Sequence, residues 1–205
     1  MRKMSLSVLM KISILGAMAV ILQLIEFPLT IFFPEFLKID ISDVPALIGG
    51  FAFGPVAGIL VVLVKNIVHG LMANQTLWVG EFANFIVGSS LVGVASVIYK
   101  RKRTMKGAII GLVTGTIFMA IVGALTNYYI LLPLYSKVMG WDMNAFVEVG
   151  RAVNPAIKNF WGYILLAIVP FNIIKGIVAS IVTVLVYKPI AVFLRREARK
   201  VEIEI

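Results

Sequence analysis

Apolar residues in this chain neither recur with the ~3.6-residue period of an amphipathic helix nor alternate as in a half-buried strand. They come in long runs: Val8 to about Ile25, Val56 to Val68, Phe82–Tyr99, Gly107 to about Leu132, and Phe160 to about Val186. Several approach the ~20 residues that carry a helix across a ~30 Å hydrocarbon core. Lipid offers unpaired backbone groups no partner, so such runs are expected to be helices. Barrel strands would show alternating polarity instead. The pattern predicts an all-α integral membrane protein. The first run is not followed by a small-residue cleavage site, and it reads as a retained helix rather than a signal peptide.

The stretch Phe36–Gly58, FLKIDISDVPALIGGFAFGPVAG, interrupts this pattern. It sets Lys38, Asp40 and Asp43 between apolar runs, then steps through Gly50, Gly54 and Gly58 at four-residue spacing. Ser42 or Asp43 can cap a helix with Pro45 in its first turn. That helix runs to about Phe53 and, at ~1.5 Å per residue, is too short to span the core upright. Gly54-Pro55 then breaks the chain. The glycine ladder, like Gly111 and Gly115, lets helices approach closely. On the first helix Ser13 and Ala17 form a small-xxx-small pair with Gly16 beside them. Such a face suits either a helix of the same chain or a separate membrane subunit.

Charge sets the topology. The 205 residues are 60% hydrophobic and 14% charged, with a formal net charge of +9. The basic residues gather at Arg2/Lys3/Lys11, at Lys100–Arg103 with Lys106, and at Lys188–Lys200, each beside an apolar run. That is the positive-inside pattern, facing anionic lipid headgroups rather than nucleic acid. If the N-terminus and the Lys100–Arg103 loop are both cytoplasmic, an even number of crossings separates them. The segment between the first helix and Phe82–Tyr99 then contributes two crossings, turning near Gly54-Pro55. The expected architecture is one membrane domain over 1–205, with six transmembrane helices near 8–26, 43–53, 55–70, 80–99, 105–132 and 160–194. Both termini are cytoplasmic, and loops 27–42 and 133–159 lie outside. Trp141, Met143, Phe146 and Val147 suggest a short interfacial helix in the second loop. The tail, Arg195–Ile205, reads as charged and solvated.

Ionisable residues inside apolar helices cost roughly 2.5–3.5 kcal/mol at the bilayer centre, so each is a candidate for function. Glu81 and Asn84 are three apart and share a helix face, as do Asn172 and Lys175 after Pro170. Asn127 lies near the end of the fifth helix. On the six-helix topology Glu81, Asn127, Asn172 and Lys175 all fall in the outer half of the membrane. Charge pairing alone, of Glu81 with Lys175 or with Lys65, would account for the ions. Two amides, a carboxylate and an ammonium at one depth point instead to a lined pocket. Such a set suits a ligand with carbonyl, imide and hydroxyl groups, with aromatic side chains to cover a flat ring. Lys65 reads as a snorkelling lysine, and His69 as a hydrogen-bonded packing residue.

No catalytic machinery is visible. There is no GxxxxGK[ST] phosphate loop. One His and no Cys leave no zinc set and no disulfide framework. A dyad of His69 with Ser89, Ser90 or Ser96 is the one enzymatic alternative, an intramembrane hydrolase, and no GxSxG supports it. Asn74-Gln75-Thr76 matches a glycosylation sequon, a match common by chance.

The ordered set FLKIDISDVPALIGGFAFGPVAG, KNIVHG, GEFANFIVG, LTNYYILLPLY and PFNIIKG resembles the substrate-binding S-components of energy-coupling factor (ECF) vitamin transporters, the riboflavin-specific members in particular. The resemblance covers nearly all six helices. It implies a membrane subunit without a catalytic or metal cofactor that binds riboflavin as transported substrate. Its implied partners are a transmembrane coupling subunit and two ATP-binding subunits. Another vitamin or flavin mononucleotide, with Lys38 and Lys65 serving the phosphate, is the alternative ligand. The resemblance places Glu81, Asn127, Asn172 and Lys175 in the pocket, with Leu37, Lys38, Ile39 and Asp40 closing over it. Asn84 joins them on face geometry. The family's AxxxA docking motif corresponds to Ser13-xxx-Ala17, beside Gly16.

Overall fold

The computed structural model describes residues 6–203, and it is helical almost throughout. The helices are α1 (Leu6–Leu24), α2 (Asp43–Phe53), α3 (Pro55–Ala73), α4 (Val79–Arg101), α5 (Met105–Thr126), α6 (Leu132–Met139), α7 (Met143–Val153), α8 (Phe160–Tyr163) and α9 (Val169–Ile203). Two π-helical segments, Asn127–Leu131 and Ile164–Ile168, join α5 to α6 and α8 to α9. The α1–α2 loop carries a two-stranded antiparallel ribbon, β1 (Phe27–Pro28) on β2 (Lys38–Ile39). Arg2 and Lys3 lie outside the described residues, as do most side chains of the basic Lys188–Lys200 cluster and of the tail to Ile205. The backbone of α9 continues to Ile203.

Five stretches are long and apolar enough to cross a membrane: Leu6–Leu24, Pro55–Ala73, Val79–Arg101, Met105–Val138 and Phe160–Tyr187. α2, with 11 residues, is shorter. The distribution of polarity is that of a protein solvated by lipid. Leu9, Ile14, Ile21, Ile117, Ile121 and Ile181 point outward, while Asp40, Asp43, Lys65, Glu81, Asn172 and Lys175 are buried. The chain is a multi-pass membrane protein.

α2 is the hub. Almost every residue in it is buried, and it packs on α1, α3, α4 and α9. It turns into α3 at Gly54, whose φ of 98° lies in the region that favours glycine. Pro55 follows as the first residue of α3, where its missing N–H is no loss. The rest of the ladder works by close approach. A Cβ at Gly58 would sit 2.9 Å from the Ala46 carbonyl oxygen, and one at Gly50 would strike Ser96 on α4. Both contacts are with neighbouring helices.

α5 lies directly on the α4 backbone. A Cβ at Gly115 would come 2.8 Å from the Leu91 carbonyl oxygen, and at Gly111 2.7 Å from that of Ala95. Backbone cannot rotate aside, so the helices must separate. Gly115→Ala is expected to destabilise by about 1–3 kcal/mol, as overpacking does. Gly93→Ala is the control, because its Cβ meets only the Ile59 side chain at 3.5 Å. Thermal denaturation in detergent compares the two, and equal midpoints would contradict the packing.

The fifth apolar run does not end before Pro133. The helix widens into the π segment at Asn127–Leu131 and then continues as α6, with Pro133 in its first turn, where it is tolerated. The 133–159 region is therefore helical in α6 and α7. Phe146, Ile157 and Tyr163 bury together beneath it.

Candidate binding cavity

A cavity of about 350 Å³ opens at the end of the bundle where α1, α3 and α5 finish and α4 and α9 begin. That volume falls near the lower end of the ~300–1,000 Å³ usual for small-molecule sites. Its polar wall comes from Glu81 and Asn84 on α4, Asn127 at the head of the π segment, and Asn172 on α9. Its apolar cover comes from the loop residues Phe36 and Leu37 together with Tyr135, Trp141 and Phe146. Phe36 stands edge-on to Trp141 and Phe146, with ring centroids 6.4 and 6.2 Å apart. The α1–α2 loop thus meets the α6–α7 region over the cavity.

The loop is held from both sides. Phe27 pairs with Ile39 and Pro28 with Lys38 in the ribbon. Phe33 packs edge-on to Phe171 of α9 at 5.5 Å, with Ile39 buried alongside. At the rim the Lys38 ammonium donates to Glu26 at 2.8 Å and to Gln75 at 3.0 Å.

Beneath the loop lies a buried ionic layer. Lys175 donates to the Asp40 carboxylate at 2.9 Å and to Asn84 Oδ1 at 2.8 Å. Lys65 donates to Asp43 at 2.6 Å and to the Ser42 hydroxyl at 2.5 Å. Ser42 in turn donates through its backbone N–H and hydroxyl to Asp40. Two carboxylates and two ammonium groups are thereby matched, all of them almost fully buried. Burial by itself would raise the Asp40 carboxyl. Lys175, Lys65 and the Ser42 hydroxyl outweigh it and hold Asp40 well below the usual carboxylate range. Asp40 is therefore ionised at any physiological pH.

Glu81 is built differently. Its two oxygens are met by His69 Nδ1 at 3.2 Å and by the Thr76 hydroxyl at 3.2 Å. All three residues line the cavity. Asn127 and Asn172 each donate Nδ2 to the carbonyl four residues back, Gly123 at 2.8 Å and Ile168 at 2.9 Å. Both bonds sit at an end of a π segment, where the regular hydrogen-bond ladder is disturbed.

A second, larger hollow of about 770 Å³ runs between α5 and α9, walled by residues such as Ile117, Ile121, Ile173 and Ile181. It holds almost no polar group and faces the lipid side of the bundle. Its polar lining is the hydroxyls of Thr116 and Ser180, which face each other at 3.4 Å, too few to fix a ligand's orientation.

A family model described as "ECF transporter, substrate-specific component" matches residues 7–187. The chain belongs to this family. It is 45% identical to the riboflavin transporter RibU of Staphylococcus aureus (strain TCH60), over 92% of each chain. It is 35% identical to the riboflavin transporter FmnP of Bacillus subtilis (strain 168), over 90% of this chain and 92% of that one. A solved structure described as the S component of a bacterial ECF transporter superposes with a TM-score of 0.72 at 43% identity. That match covers 92% of this chain and 97% of the other.

In this ECF substrate-specific component, the sequence-derived site residues divide into two layers. Leu37, Lys38, Glu81, Asn84, Asn127 and Asn172 line the cavity. Ile39, Asp40 and Lys175 lie just behind it, Ile39 in the Phe33 cluster and the other two in the ionic layer. Sequence reasoning passed over Glu26, Gln75 and Thr76 at the rim, and Tyr135 in the cover.

Three expectations are corrected. Lys65 does not snorkel; it is 1% exposed and locked to Asp43, because α2 supplies a carboxylate beside it. Ser42 makes no side-chain cap to α2, since its hydroxyl is engaged by Asp40 and Lys65. Neither lysine pairs with Glu81: Lys175 pairs with Asp40 and Lys65 with Asp43, and His69 stands beside Glu81. The serines considered for a dyad are elsewhere: Ser90 donates to the Val87 carbonyl, Ser89 lies with it beside Gly93 and Phe118, and Ser96 packs against Gly50. On α1, Gly16 faces inward, and a Cβ there would meet Val64 at 2.8 Å. Ser13 and Ala17 face outward, with the Ser13 hydroxyl bonded to the Leu9 carbonyl.

Proposed function

We propose that this chain is the riboflavin-binding subunit of an ECF importer. The observation that carries the reading is the cavity itself. It pairs an aromatic and aliphatic cover with a wall of asparagine amides and one carboxylate. This complements a ligand that has a flat ring, an imide edge and a hydroxylated chain. The relatives that bear the name riboflavin transporter span nine-tenths of this chain. Asn172, Asn84 and Lys175 serve the polar edge of the ring, Glu81 and Asn127 the hydroxyl-bearing side chain, and Leu37, Lys38, Ile39 and Asp40 form the closing loop.

Six crossings with both termini cytoplasmic put this mouth on the outer face. The partners in this reading are a transmembrane coupling subunit and two ATP-binding subunits, which supply the energy. Ser13 and Ala17 offer them a smooth outward face on α1, with Gly16 seating that helix on α3. No catalytic group or metal is assigned to this subunit.

Protein purified in detergent is expected to be yellow, with flavin absorption bands, or to quench flavin fluorescence at micromolar riboflavin. A colourless preparation with no quenching sinks the flavin reading. Flavin mononucleotide is expected to compete more weakly. Lys65, one of two lysines available to a phosphate, is committed to Asp43, and Lys38 is already shared by Glu26 and Gln75.

A further inference from the structure

An asparagine side chain ends in one acceptor and two donor hydrogens, and its neighbours decide which of them it shows. Three asparagines line this cavity, and each has a neighbour of a single polarity. A lysine ammonium only donates, so the Lys175 contact at 2.8 Å must be to Asn84 Oδ1. That leaves Asn84 Nδ2 for the cavity. A backbone carbonyl only accepts, so the contacts at Gly123 and Ile168 must be to Nδ2 of Asn127 and Asn172. That leaves Oδ1 of each wholly unengaged, beside the second N–H. Asn172 is further fixed because its amide lies on the α5 backbone, where a Cβ at Gly123 would meet its Nδ2 at 2.8 Å. The Asn84 amide is fixed in turn through Asp40, which holds the Lys175 ammonium at 2.9 Å.

We propose that Asn84 is a specificity-determining residue that donates to a ligand carbonyl, its polarity set by Lys175 with Asp40 as a positioning residue. Asn172, one helical turn from Lys175, presents the complementary acceptor. Both line the cavity, and together they offer a donor and an acceptor matched to a carbonyl next to an N–H, which is the imide edge of a flavin ring. This assignment rests on the flavin reading above.

The two polarities make separable demands on ligand analogues. A thiocarbonyl at the imide edge is the weaker acceptor, and an N-methyl imide has no proton to give. Competition against riboflavin in detergent-purified protein reads both. The wild type is expected to prefer riboflavin to either analogue by roughly threefold to tenfold, the net worth of one hydrogen bond. Asn84→Ala is expected to abolish the thiocarbonyl preference while keeping the N-methyl preference, and Asn172→Ala to do the reverse. Asp40→Asn is expected to reduce the thiocarbonyl preference while Lys175→Arg retains it, a pattern that loss of structure alone would not give.

A thiocarbonyl preference that survives in Asn84→Ala overturns the assignment. Where Asn84→Ala does not fold, Asn84→Leu is read in the same way. Should Asp40→Asn match the wild type in both preferences, its positioning role falls. A wild type that binds no riboflavin overturns the flavin reading itself, a result distinct from either.

Discussion

Lys65→Met is expected to destabilise the protein by about 3–5 kcal/mol, the cost typical of leaving one member of a buried ion pair behind. Lys65 and Asp43 are 1% and 2% exposed and meet at 2.6 Å. With the ammonium gone, the Asp43 carboxylate loses its directly bonded counter-charge, and the one remaining lysine of the layer, Lys175, is bonded to Asp40 and Asn84. The hydroxyl of Ser42 loses its donor as well. A buried charge without a partner is far more expensive than no charge at all. The double variant Lys65→Met/Asp43→Val is therefore expected to recover most of the loss, since a buried pair contributes little beyond what apolar packing supplies. Thermal unfolding in detergent, without ligand, reads both. A double variant no more stable than the single one would show that the pair contributes more than mutual neutralisation.

The second large effect is on binding. Lys175→Ala is expected to weaken riboflavin affinity by about 1.5–3 kcal/mol, the range for a hydrogen bond involving a charged group. The residue is 2% exposed and joins the loop carboxylate of Asp40 to the cavity amide of Asn84. Its removal frees the amide to rotate and takes away the loop's ionic tie to α9, leaving the Phe33–Phe171 contact. Fluorescence titration gives the affinity, and size-exclusion chromatography checks the fold in the same sample. An unchanged affinity would take both Lys175 and the ionic layer out of the binding site.

Much of the site was legible along the chain because short-range geometry is simple. Residues three apart on a helix share a face, which joined Glu81 to Asn84 and Asn172 to Lys175 before any tertiary contact was known. Two of the missed pairings carried a signal of the same kind. Asp43 and Lys65 each lie eleven residues from Gly54, on opposite sides of the α2–α3 turn (54 − 43 and 65 − 54). Folding an antiparallel pair about that glycine brings them together. His69 and Glu81 each lie six residues from Gln75, at the α3–α4 turn (75 − 69 and 81 − 75). Reading Lys65 as a snorkelling lysine ignored its mirror position.

The bond between Lys175 and Asp40 carried no such signal. They are separated by 135 residues, and no helical face or hairpin register connects them. The same holds for the aromatic cover, where Phe36 meets Trp141 and Phe146 across most of the chain.

The sequence by itself determined that this chain is an α-helical membrane protein with polar residues set in apolar helices, and it pointed to the ECF family. Composition, run length and charge placement act locally, and the bilayer converts them directly into helices and their ends. Tertiary structure decided how the ions pair, which residues face the cavity and which stand behind it, and which end of each asparagine is shown. Those outcomes depend on contacts between distant helices, where an ammonium or a carbonyl a few ångströms away dictates the polarity of its neighbour.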